Sequence, residues 1–285
     1  MAGETMHPEA RGNAGNLLPN QLPVIHDRLF SLAQPYLQQP HQVSNFRFFE
    51  PSLLRVNYGQ LTLSQEHEIP VTLGNSPHLM VISQHTQAQV SKTVSAESGI
   101  FSSLFLGFSP ALIAGFYRDN APLLTPLTPL NGFQILPLDD ELQETLDYCL
   151  HGLKNPASTA VQQNRLTGVL IALAERGILF MPRAGEPLGT RLTTLLASAP
   201  EFAWTAASAS QQLAMSEATL RRRLVEEQIS FRTLLQDIRM HHAMTLLQTT
   251  RWSLSQIADA CGYRASSRFS LRFRERFGCS PADIR

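Results

Sequence analysis

The chain has 285 residues, of which 43% are hydrophobic and 16% are charged, and its formal net charge at pH 7 is zero. This composition provides enough apolar side chains for folded cores and excludes a disordered protein. The length leaves room for two domains, and the neutral balance gives no sign of a nucleic-acid partner.

The charges are distributed unevenly along the chain. From residue 186 onward there are 13 arginines, no lysine and 9 acidic residues, a net charge of +4, and the preceding part carries −4. Arginine is the side chain best suited to bidentate contacts with phosphate and guanine. A surplus of this size is also common on solvated surfaces, so it only directs attention to the C-terminal part.

The three cysteines, Cys149, Cys261 and Cys279, are far apart in sequence and form no CxxC pair. This pattern argues against a disulfide framework or a cysteine-rich zinc site and indicates a reducing compartment. The first 20 residues lack the basic start and apolar run of a signal peptide, and no stretch reaches 18 consecutive apolar residues. We therefore expect a soluble, cytoplasmic protein without membrane contact.

In chain order, residues 1–20 are rich in Gly, Asn and Pro and are predicted to form a disordered tail. Residues 22–37 are broken by Pro23 and Pro35 and predict at best a short helix. From about Asn45 to Phe108, short runs with period-two alternation predict a small β-sandwich or barrel. The predicted strands are Leu54–Tyr58, Leu61–Leu63, His78–Ile82, Gln87–Val94 and Ile100–Phe108.

Helical patterns follow this strand-rich region. Ser109 as N-cap and Pro110 at the first helical position predict a helix to about Arg118. A strand is predicted at Phe133–Leu136, and helices at Asp139–Leu150 and Ser158–Arg176. The apolar stripe of the last helix is either core or a dimer face. A Pro-rich linker at residues 182–190 then separates a domain of residues 21–181 from one of residues 191–285.

A helix-turn-helix unit is predicted between residues 208 and 228. Ser216 can cap its second helix, and Leu220 and Leu224 lie on one side of that helix. The opposite side carries small residues and arginines, with Arg223 directed sideways towards phosphate. The predicted DNA-contacting residues are Ser216, Ala218, Arg221, Arg222 and Arg223. Three consecutive arginines on their own are more often just a solvated face.

A second unit of the same design is predicted between residues 253 and 278. Phe269, Phe273 and Phe277 recur every four residues and are expected to pack against the preceding short helix, after a turn at Gly262. Ser267 and Leu271 lie on the opposite side. Arg274 lies on this opposite side as well, and Arg268 and Arg272 lie on its flank. A repeated basic helix on a matching scaffold helix favours DNA binding over an ordinary charged surface.

The two units are joined by a predicted helix of 19 residues from Ser230 to Gln248. At 1.5 Å per residue this helix is about 28 Å long. Successive major-groove faces of B-DNA lie about 34 Å apart. One connecting helix of this length could therefore hold two reading helices close to the groove spacing.

Many residues of this region occur at fixed spacings that are typical of one family. They are Ser216, Leu220-Arg221-Arg222, Ser230-Phe231, Arg239, Ala243, Leu246-Leu247, Ser253-Leu254, Ile257-Ala258, Cys261-Gly262-Tyr263, Phe269-Ser270, Phe273, Phe277-Gly278 and Ser280-Pro281. Through them the region from Trp204 to Arg285 resembles the DNA-binding domain of AraC/XylS-type transcription regulators.

The resemblance implies that the chain binds double-stranded promoter DNA and activates transcription through RNA polymerase. By position it implies that bases are read by Ala218, Arg221, Arg222, Ser266, Ser267 and Leu271. Position 271 is commonly arginine in this family, so the contacts of the second reading helix are open. Ile284 also replaces a residue that is usually aromatic, which concerns local packing only.

For residues 21–181 the resemblance implies a cupin-like β-barrel followed by helices, which binds an effector and forms a homodimer. The expected fold class is therefore α+β with two domains, the second all-α. His67, His78 and His85 form no HxH pair, so neither a metal, a cofactor nor catalysis is expected. A small-molecule effector would occupy the barrel interior, lined from Leu79–Ile82 and Leu104–Phe108.

Two other readings stay open. Some DNA-repair methyltransferases carry the same type of DNA-binding domain, but they need a reactive cysteine and a zinc-binding cysteine cluster. Here Cys149 alone precedes the C-terminal domain, so this alternative is disfavoured. The effector could also be another protein, because the sequence does not separate that case from small-molecule control.

Overall fold

The computed structural model describes residues 25–26, 29–65, 69–124, 127–154, 157–181 and 188–284. The predicted tail (residues 1–20), residues 182–187 of the predicted linker, and His67 lie outside these ranges. The described chain contains a β-rich N-terminal part with helices on one side, followed by an all-α C-terminal part. This is the α+β class that the sequence predicted.

The N-terminal part contains eleven strands and four helices in its described ranges. The strands are β1 (Ile25–His26), β2 (Phe30–Ala33), β3 (Tyr36–Leu37), β4 (His41–Arg47), β5 (Ser52–Tyr58), β6 (Gln60–Ser64), β7 (Val71–Gly74), β8 (His78–Ile82), β9 (Gln87–Thr93), β10 (Phe101–Phe108) and β11 (Phe133–Pro137). The helices are α1 (Pro110–Asp119), α2 (Ala121–Leu124), α3 (Asp140–Lys154) and α4 (Thr159–Glu175).

The strands form two antiparallel sheets. One has the order β1-β2-β10-β5-β8-β11, with β3 also paired to β10, and the other has the order β4-β9-β6-β7. Alternate residues of both sheets, such as Leu54 and Met80 on one and Leu63 and Val90 on the other, meet in one buried cluster. The described strands of the two sheets do not pair with each other, so the fold is a two-sheet sandwich and not a closed cupin barrel.

The segment at residues 22–37 was predicted incorrectly as at best a short helix. It supplies β2 and β3, and all four residues of β2 are buried. A fully buried strand lacks period-two alternation, which is why the pattern did not show it. Likewise β4 begins at His41, before the expected start of the strand region at Asn45.

Helices α1, α3 and α4 cover the outer face of the larger sheet. Ser109 caps α1 by accepting a hydrogen bond from the Leu112 amide, as predicted. The stripe of α4 is buried from Leu166 to Leu173 in a cluster with α1, α3 and the sheet, whereas Val161 is exposed. Most of this stripe is therefore core.

The C-terminal part consists of helices joined by short turns. They are α5 (Leu188–Ala197), α6 (Ala206–Gln212), α7 (Glu217–Glu226), α8 (Phe231–Thr249), α9 (Leu254–Ala260), α10 (Ser266–Phe277) and a short 3-10 helix (Pro281–Ile284). Residues 188–190, predicted as the end of the linker, form the first turn of α5. The Glu227 carboxylate accepts hydrogen bonds from the Leu188 and Gly189 amides at 2.7 and 2.8 Å and so caps this helix from a distance.

Within the described ranges, no helix is both long and apolar enough to cross a membrane.

Candidate nucleic-acid interface

The first reading unit consists of α6 and α7. Ser216 precedes α7 and accepts a hydrogen bond from the Thr219 amide at 3.1 Å, which confirms its predicted capping role. Leu220 and Leu224 are buried among the residues of α5, α6 and α8. Because one face of α7 is held in this core, its opposite face is directed to solvent, and Val225 there is 76% exposed.

The polar face of α7 carries the residues that the sequence predicted to contact DNA. Ser216, Ala218, Arg221, Arg222 and Arg223 are all exposed. Arg221 pairs with Glu217, and Arg222 lies 3.9 Å from Glu226, with both arginine side chains about 70% exposed. Exposed pairs of this kind contribute little to stability, so the guanidinium groups can exchange them for phosphate or base contacts at low cost.

The second reading unit consists of α9 and α10. Phe269, Phe273 and Phe277 are buried in one cluster with Ile257 and Ala258 of α9, as their spacing predicted. Tyr263, in the turn between the helices, packs edge-on to Phe269 with ring centroids 5.9 Å apart. The aromatic row therefore fixes which face of α10 is presented to solvent.

The exposed face of α10 differs from that of α7. Ser266, Ser267, Arg268 and Leu271 are exposed, and Leu271 is 55% exposed at the centre of this face. Arg272 is half-buried and its Nη1 donates to the Glu275 carboxylate at 2.6 Å. The N-cap of α10 is Ala265, which makes no side-chain capping bond, whereas α7 has a serine cap.

Helix α8 joins the two units and has the 19 residues that the sequence predicted. Arg239 on α8 donates to the carbonyls of Pro200 and Phe202 at 2.9 and 2.8 Å. Near the other unit, Arg276 of α10 donates to Asp237 of α8 at 2.7 Å, and both side chains are largely buried. These contacts attach both reading units to one rigid element.

His241 on α8 also joins the C-terminal part to the sandwich. Its Nε2 accepts a hydrogen bond from the Arg47 amide at 3.1 Å, and the rings of Phe46, Phe49 and Phe277 surround it. This arrangement requires a neutral imidazole whose Nδ1 faces the Asp237 carbonyl. Burial and then the nearby Arg276 lower the pKa of His241 to about 3.

An apolar cavity of about 100 Å³ lies between β4, β9 and β10 of the sandwich and α8. Its wall contains Lys92, whose Nζ donates to Gln248 Oε1 at 2.7 Å across the two parts of the chain. Burial lowers the pKa of Lys92 to about 7. The hydroxyl of Ser103 in the same wall is buried and has no hydrogen-bond partner in the described structure.

This cavity is not the predicted ligand site. The expected lining from Leu79–Ile82 is absent from its wall, and of Leu104–Phe108 only Phe105 contributes. Helix α8 forms one wall of the cavity. The cavity therefore lies between the two parts of the chain and not inside a barrel, where the sequence had predicted it. One signal could have indicated it: Lys92 occupies an inward position in the alternation of β9, between Ala88 and Val90 on one side and Val94 on the other.

The described parts of the chain bring together no group of three His, Cys, Asp or Glu side chains suited to a metal ion. Cys149 and Cys261 are buried, and burial raises the pKa of each thiol to about 12. A thiol that stays protonated is a poor nucleophile, so neither cysteine has the character that a methyl-acceptor cysteine needs.

A protein-family model described as a helix-turn-helix domain matches residues 209–285. The urease operon transcriptional activator of Escherichia coli is 31% identical over 146 residues, which cover 49% of each chain. The chain thus spans about half the length of this curated relative. The transcriptional regulator SirC of Salmonella typhimurium (strain SL1344) is 24% identical over 91% of this chain and 96% of its own.

Among solved structures, ToxT from Vibrio cholerae matches with a TM-score of 0.60 over 90% of this chain and 97% of its own, at 14% identity. That similarity shows a common two-part fold. Other ToxT structures contain an unsaturated fatty acid or (E)-4-(8-methylnaphthalen-1-yl)but-3-enoic acid.

Proposed function

We propose that the chain is an AraC-type transcription activator that reads two successive major-groove segments of promoter DNA, and the helix-turn-helix family model that matches residues 209–285 supports this proposal. The observation that carries this proposal is the pair of exposed polar helix faces, on α7 and α10, that the single helix α8 holds in fixed positions. The DNA-binding domain, predicted at residues 191–285, begins with α5 at Leu188, and the N-terminal domain, predicted at residues 21–181, controls it.

In the proposed complex, α7 enters one groove segment with its N-terminus leading. Ser216 and Ala218 are small enough for close approach to the bases, and Arg221 and Arg222 reach guanine N7 and O6. Arg223 points sideways and binds phosphate. All five side chains are exposed, so no core residue has to move for these contacts.

Helix α10 enters the next groove segment with a less basic face. Ser266 and Ser267 contact base edges or phosphate, and Leu271 contacts thymine methyl groups. Arg268 and Arg272 stand beside this face and bind phosphate. We propose that α7 provides most of the base discrimination and that α10 contributes mainly affinity and register.

Helix α8 sets the distance between the two readers. Its 19 residues span about 28 Å, close to the roughly 34 Å between successive major-groove faces. Bound in this way, the chain recruits RNA polymerase; the name of one relative, a urease operon transcriptional activator, supports the activator role. For this function the chain acts in the cytoplasm, where its promoter DNA is. A homodimer would carry four DNA-reading helices, twice the number of one chain.

We also propose that a small carboxylic acid controls the protein from the cavity between the two domains. The cavity wall is mostly apolar, and its one buried cation, Lys92, has the geometry to pair with a carboxylate. Gln248 of α8 bonds the same amine, so an acid bound there would touch the helix that positions both readers. Carboxylic acids bound to ToxT are consistent with this assignment.

The DNA-reading function is tested by selecting sequences from random duplex DNA with the purified chain. Genome-wide binding of the tagged protein, read beside expression in a deletion strain, then identifies the regulated promoters. The proposal expects a selected motif with two conserved segments and reduced expression of bound genes in the deletion strain. Increased expression of these genes would contradict the activator role, and failure to enrich any motif would contradict sequence-specific binding.

The effector site is tested by calorimetric titration of the full chain with saturated and monounsaturated carboxylates of 6 to 18 carbons. Lys92→Met should weaken the affinity for the carboxylate at least tenfold, because the carboxylate loses its only cationic partner in the cavity. The matched control is Lys154→Met, which removes an exposed lysine at the end of α3 and should leave binding unchanged. Equal binding to both variants would contradict the site.

A further inference from the structure

A second cavity, of about 150 Å³, adjoins the cavity that contains Lys92. The residues common to both walls come from β2, β4, the segment between β4 and β5, β10 and α8. The five residues that line both are Ser31, Phe46, Phe48, Phe105 and Thr245. Because they share these five residues, the two cavities are neighbours between the sandwich and α8; the Lys92 cavity forms the first end of the combined space and the other cavity its second end.

The first end carries one ionisable side chain, Lys92, whereas the wall of the second end carries Glu50 together with Arg47, His241 and His242. At the first end, Lys92 is buried, and Gln248 and the face of the Phe101 ring are its contacts. An amide oxygen and a ring face compensate a buried ammonium only in part. The first end is therefore built to receive an anion.

At the second end, Glu50 lines the cavity, and Ser31 donates a hydrogen bond to its Oε2 at 2.6 Å. A Cβ at position 107 would come within 2.5 Å of the same oxygen, so the glycine there makes room for the carboxyl group. Burial raises the pKa of Glu50, with the Ser31 hydrogen bond opposing the shift. The carbonyl oxygen of a carboxyl group fixed in this way at the cavity wall can accept a hydrogen bond from a ligand.

The function of the second end rests on the effector site proposed above. We infer that the effector is a bifunctional acid: its carboxylate pairs with Lys92, its apolar body passes between Phe46, Phe48 and Phe105, and a donor group at its far end, a hydroxyl or an ammonium, binds Glu50. A simple fatty acid satisfies Lys92 alone and leaves Glu50 without a ligand partner. Glu50 is thus the residue that determines specificity among acids of similar length.

The position of α8 gives this arrangement a regulatory consequence. Thr245 lines both cavities, and Gln248 lines the first, so a ligand that joins the two ends lies along one face of α8. The core of the second reading unit is continuous with the core between the sheets, whereas the first unit has a core largely its own. Occupancy therefore acts first on the placement of α10.

The experiment is a calorimetric titration of the full chain with three series of probes of 6 to 12 carbons: plain carboxylates, ω-hydroxy carboxylates and ω-amino carboxylates. At the best chain length we expect an ω-substituted acid to bind at least tenfold more tightly than the plain acid. Comparison of the hydroxy and amino series then identifies the donor. Glu50→Leu should abolish this preference while the plain acid still binds.

Two variants keep the outcomes distinct. Lys92→Met should weaken all three series, and Gln84→Ala, which changes the wall of the second cavity without a charge, should keep the preference. The thermal midpoint of each variant shows whether it is folded. If plain and ω-substituted acids bind equally, or if Glu50→Leu still prefers the ω-substituted acid, the inference of a bifunctional ligand is wrong. If no acid binds while the chain still binds DNA, the effector site fails, and with it this inference, but the DNA-reading function stands.

Discussion

Arg221 and Arg222 are directed to solvent because Leu220 and Leu224, on the other face of α7, are fixed in the core. Their exposed acidic partners Glu217 and Glu226 are each four residues away on the same helix. These pairs hold the guanidinium groups near the groove face without burying them, which suits side chains that must form new bonds in a complex.

The base-reading role of Arg222 predicts a sequence-dependent loss on substitution. Arg222→Ala should weaken binding to the selected DNA site by about 1–3 kcal/mol and relax the base preference at one position, because a bidentate contact to guanine is lost. Gel-shift titrations on the selected site and on random DNA measure both effects. Arg118→Ala removes an equally exposed arginine from α1 and serves as the charge control. An equal loss of affinity on random DNA would show that Arg222 contacts only phosphate.

The exposed leucine on α10 predicts a smaller and different effect. Leu271→Ala should cost roughly 1 kcal/mol or less and act only at positions with thymine, because apolar contact with one methyl group is all that is lost. Titration of the selected site against variants with uracil in place of thymine measures this contact. A loss as large as that of Arg222→Ala would contradict the proposed inequality of the two readers.

At the scale of elements, the turn of the second unit depends on the backbone of Gly262. This residue has a φ of 74°, and a Cβ there would meet the Arg239 guanidinium at 2.6 Å and the Glu201 carbonyl oxygen at 3.0 Å. The guanidinium cannot easily move away, because it is bonded to two carbonyl oxygens. Gly262 is therefore required both for its conformation and for its lack of a side chain.

Two glycine substitutions separate these requirements. Gly278 ends α10 with a φ of 78° and has open space around its Cβ position. Gly278→Ala should destabilise the protein by about 1 kcal/mol, whereas Gly262→Ala should cost about 2–4 kcal/mol and weaken DNA binding. Denaturant unfolding measures the difference. Equal losses of unfolding free energy would show that the Arg239 side chain makes room for the new Cβ without an energetic cost.

The elements of the C-terminal domain were predictable because their signals are local. The Phe269–Phe273–Phe277 spacing and the Ser216 cap each lie within one helix or at its start, and the structure confirms them. Strand β2 was not predictable in the same way, because its pairing with β10 joins residues more than 70 positions apart. Helix α5 was missed because its N-terminal cap comes from Glu227 and not from a neighbouring residue.

The cavity between the domains was even less predictable from local sequence signals. Lys92 and Gln248 are 156 residues apart in sequence, and neither lies in a recognisable motif. The alternation of β9 indicates only that Lys92 points inward, and it does not indicate what the lysine meets. The DNA-contacting set, in contrast, could be chosen from helical periodicity and resemblance, and its assignment to bases remains a prediction.

At the scale of the whole molecule, two buried neutral histidines lie where the domains meet. His41 on β4 is buried without a hydrogen-bond partner at Nε2, and burial, with the nearby Lys92, lowers its pKa to about 4 against the opposing effect of Asp283. His241 is surrounded by aromatic rings, and Arg276 and Arg47 also disfavour its charged form. Both imidazoles would have to take up a proton at an interface built for the neutral form.

This arrangement predicts a loss of stability as pH falls below 6.5. The unfolded chain binds protons on these histidines near pH 6.5, whereas the folded chain does so only near pH 4 and pH 3, so acid favours unfolding across that window. His241→Gln should reduce the difference in unfolding free energy between pH 6.5 and pH 4.5 by about 2 kcal/mol. Denaturant unfolding at the two pH values measures it, and an unchanged difference would show that His241 titrates normally in the folded chain.

The two reading helices, the central feature of the proposal, are tested most directly by hydroxyl-radical footprinting on the selected DNA site. We expect two protected segments about 10 base pairs apart on one face of the duplex. Arg222→Ala should weaken protection in one segment and Leu271→Ala in the other, because the residues belong to different readers. A single protected segment, or two variants that affect the same segment, would contradict the account.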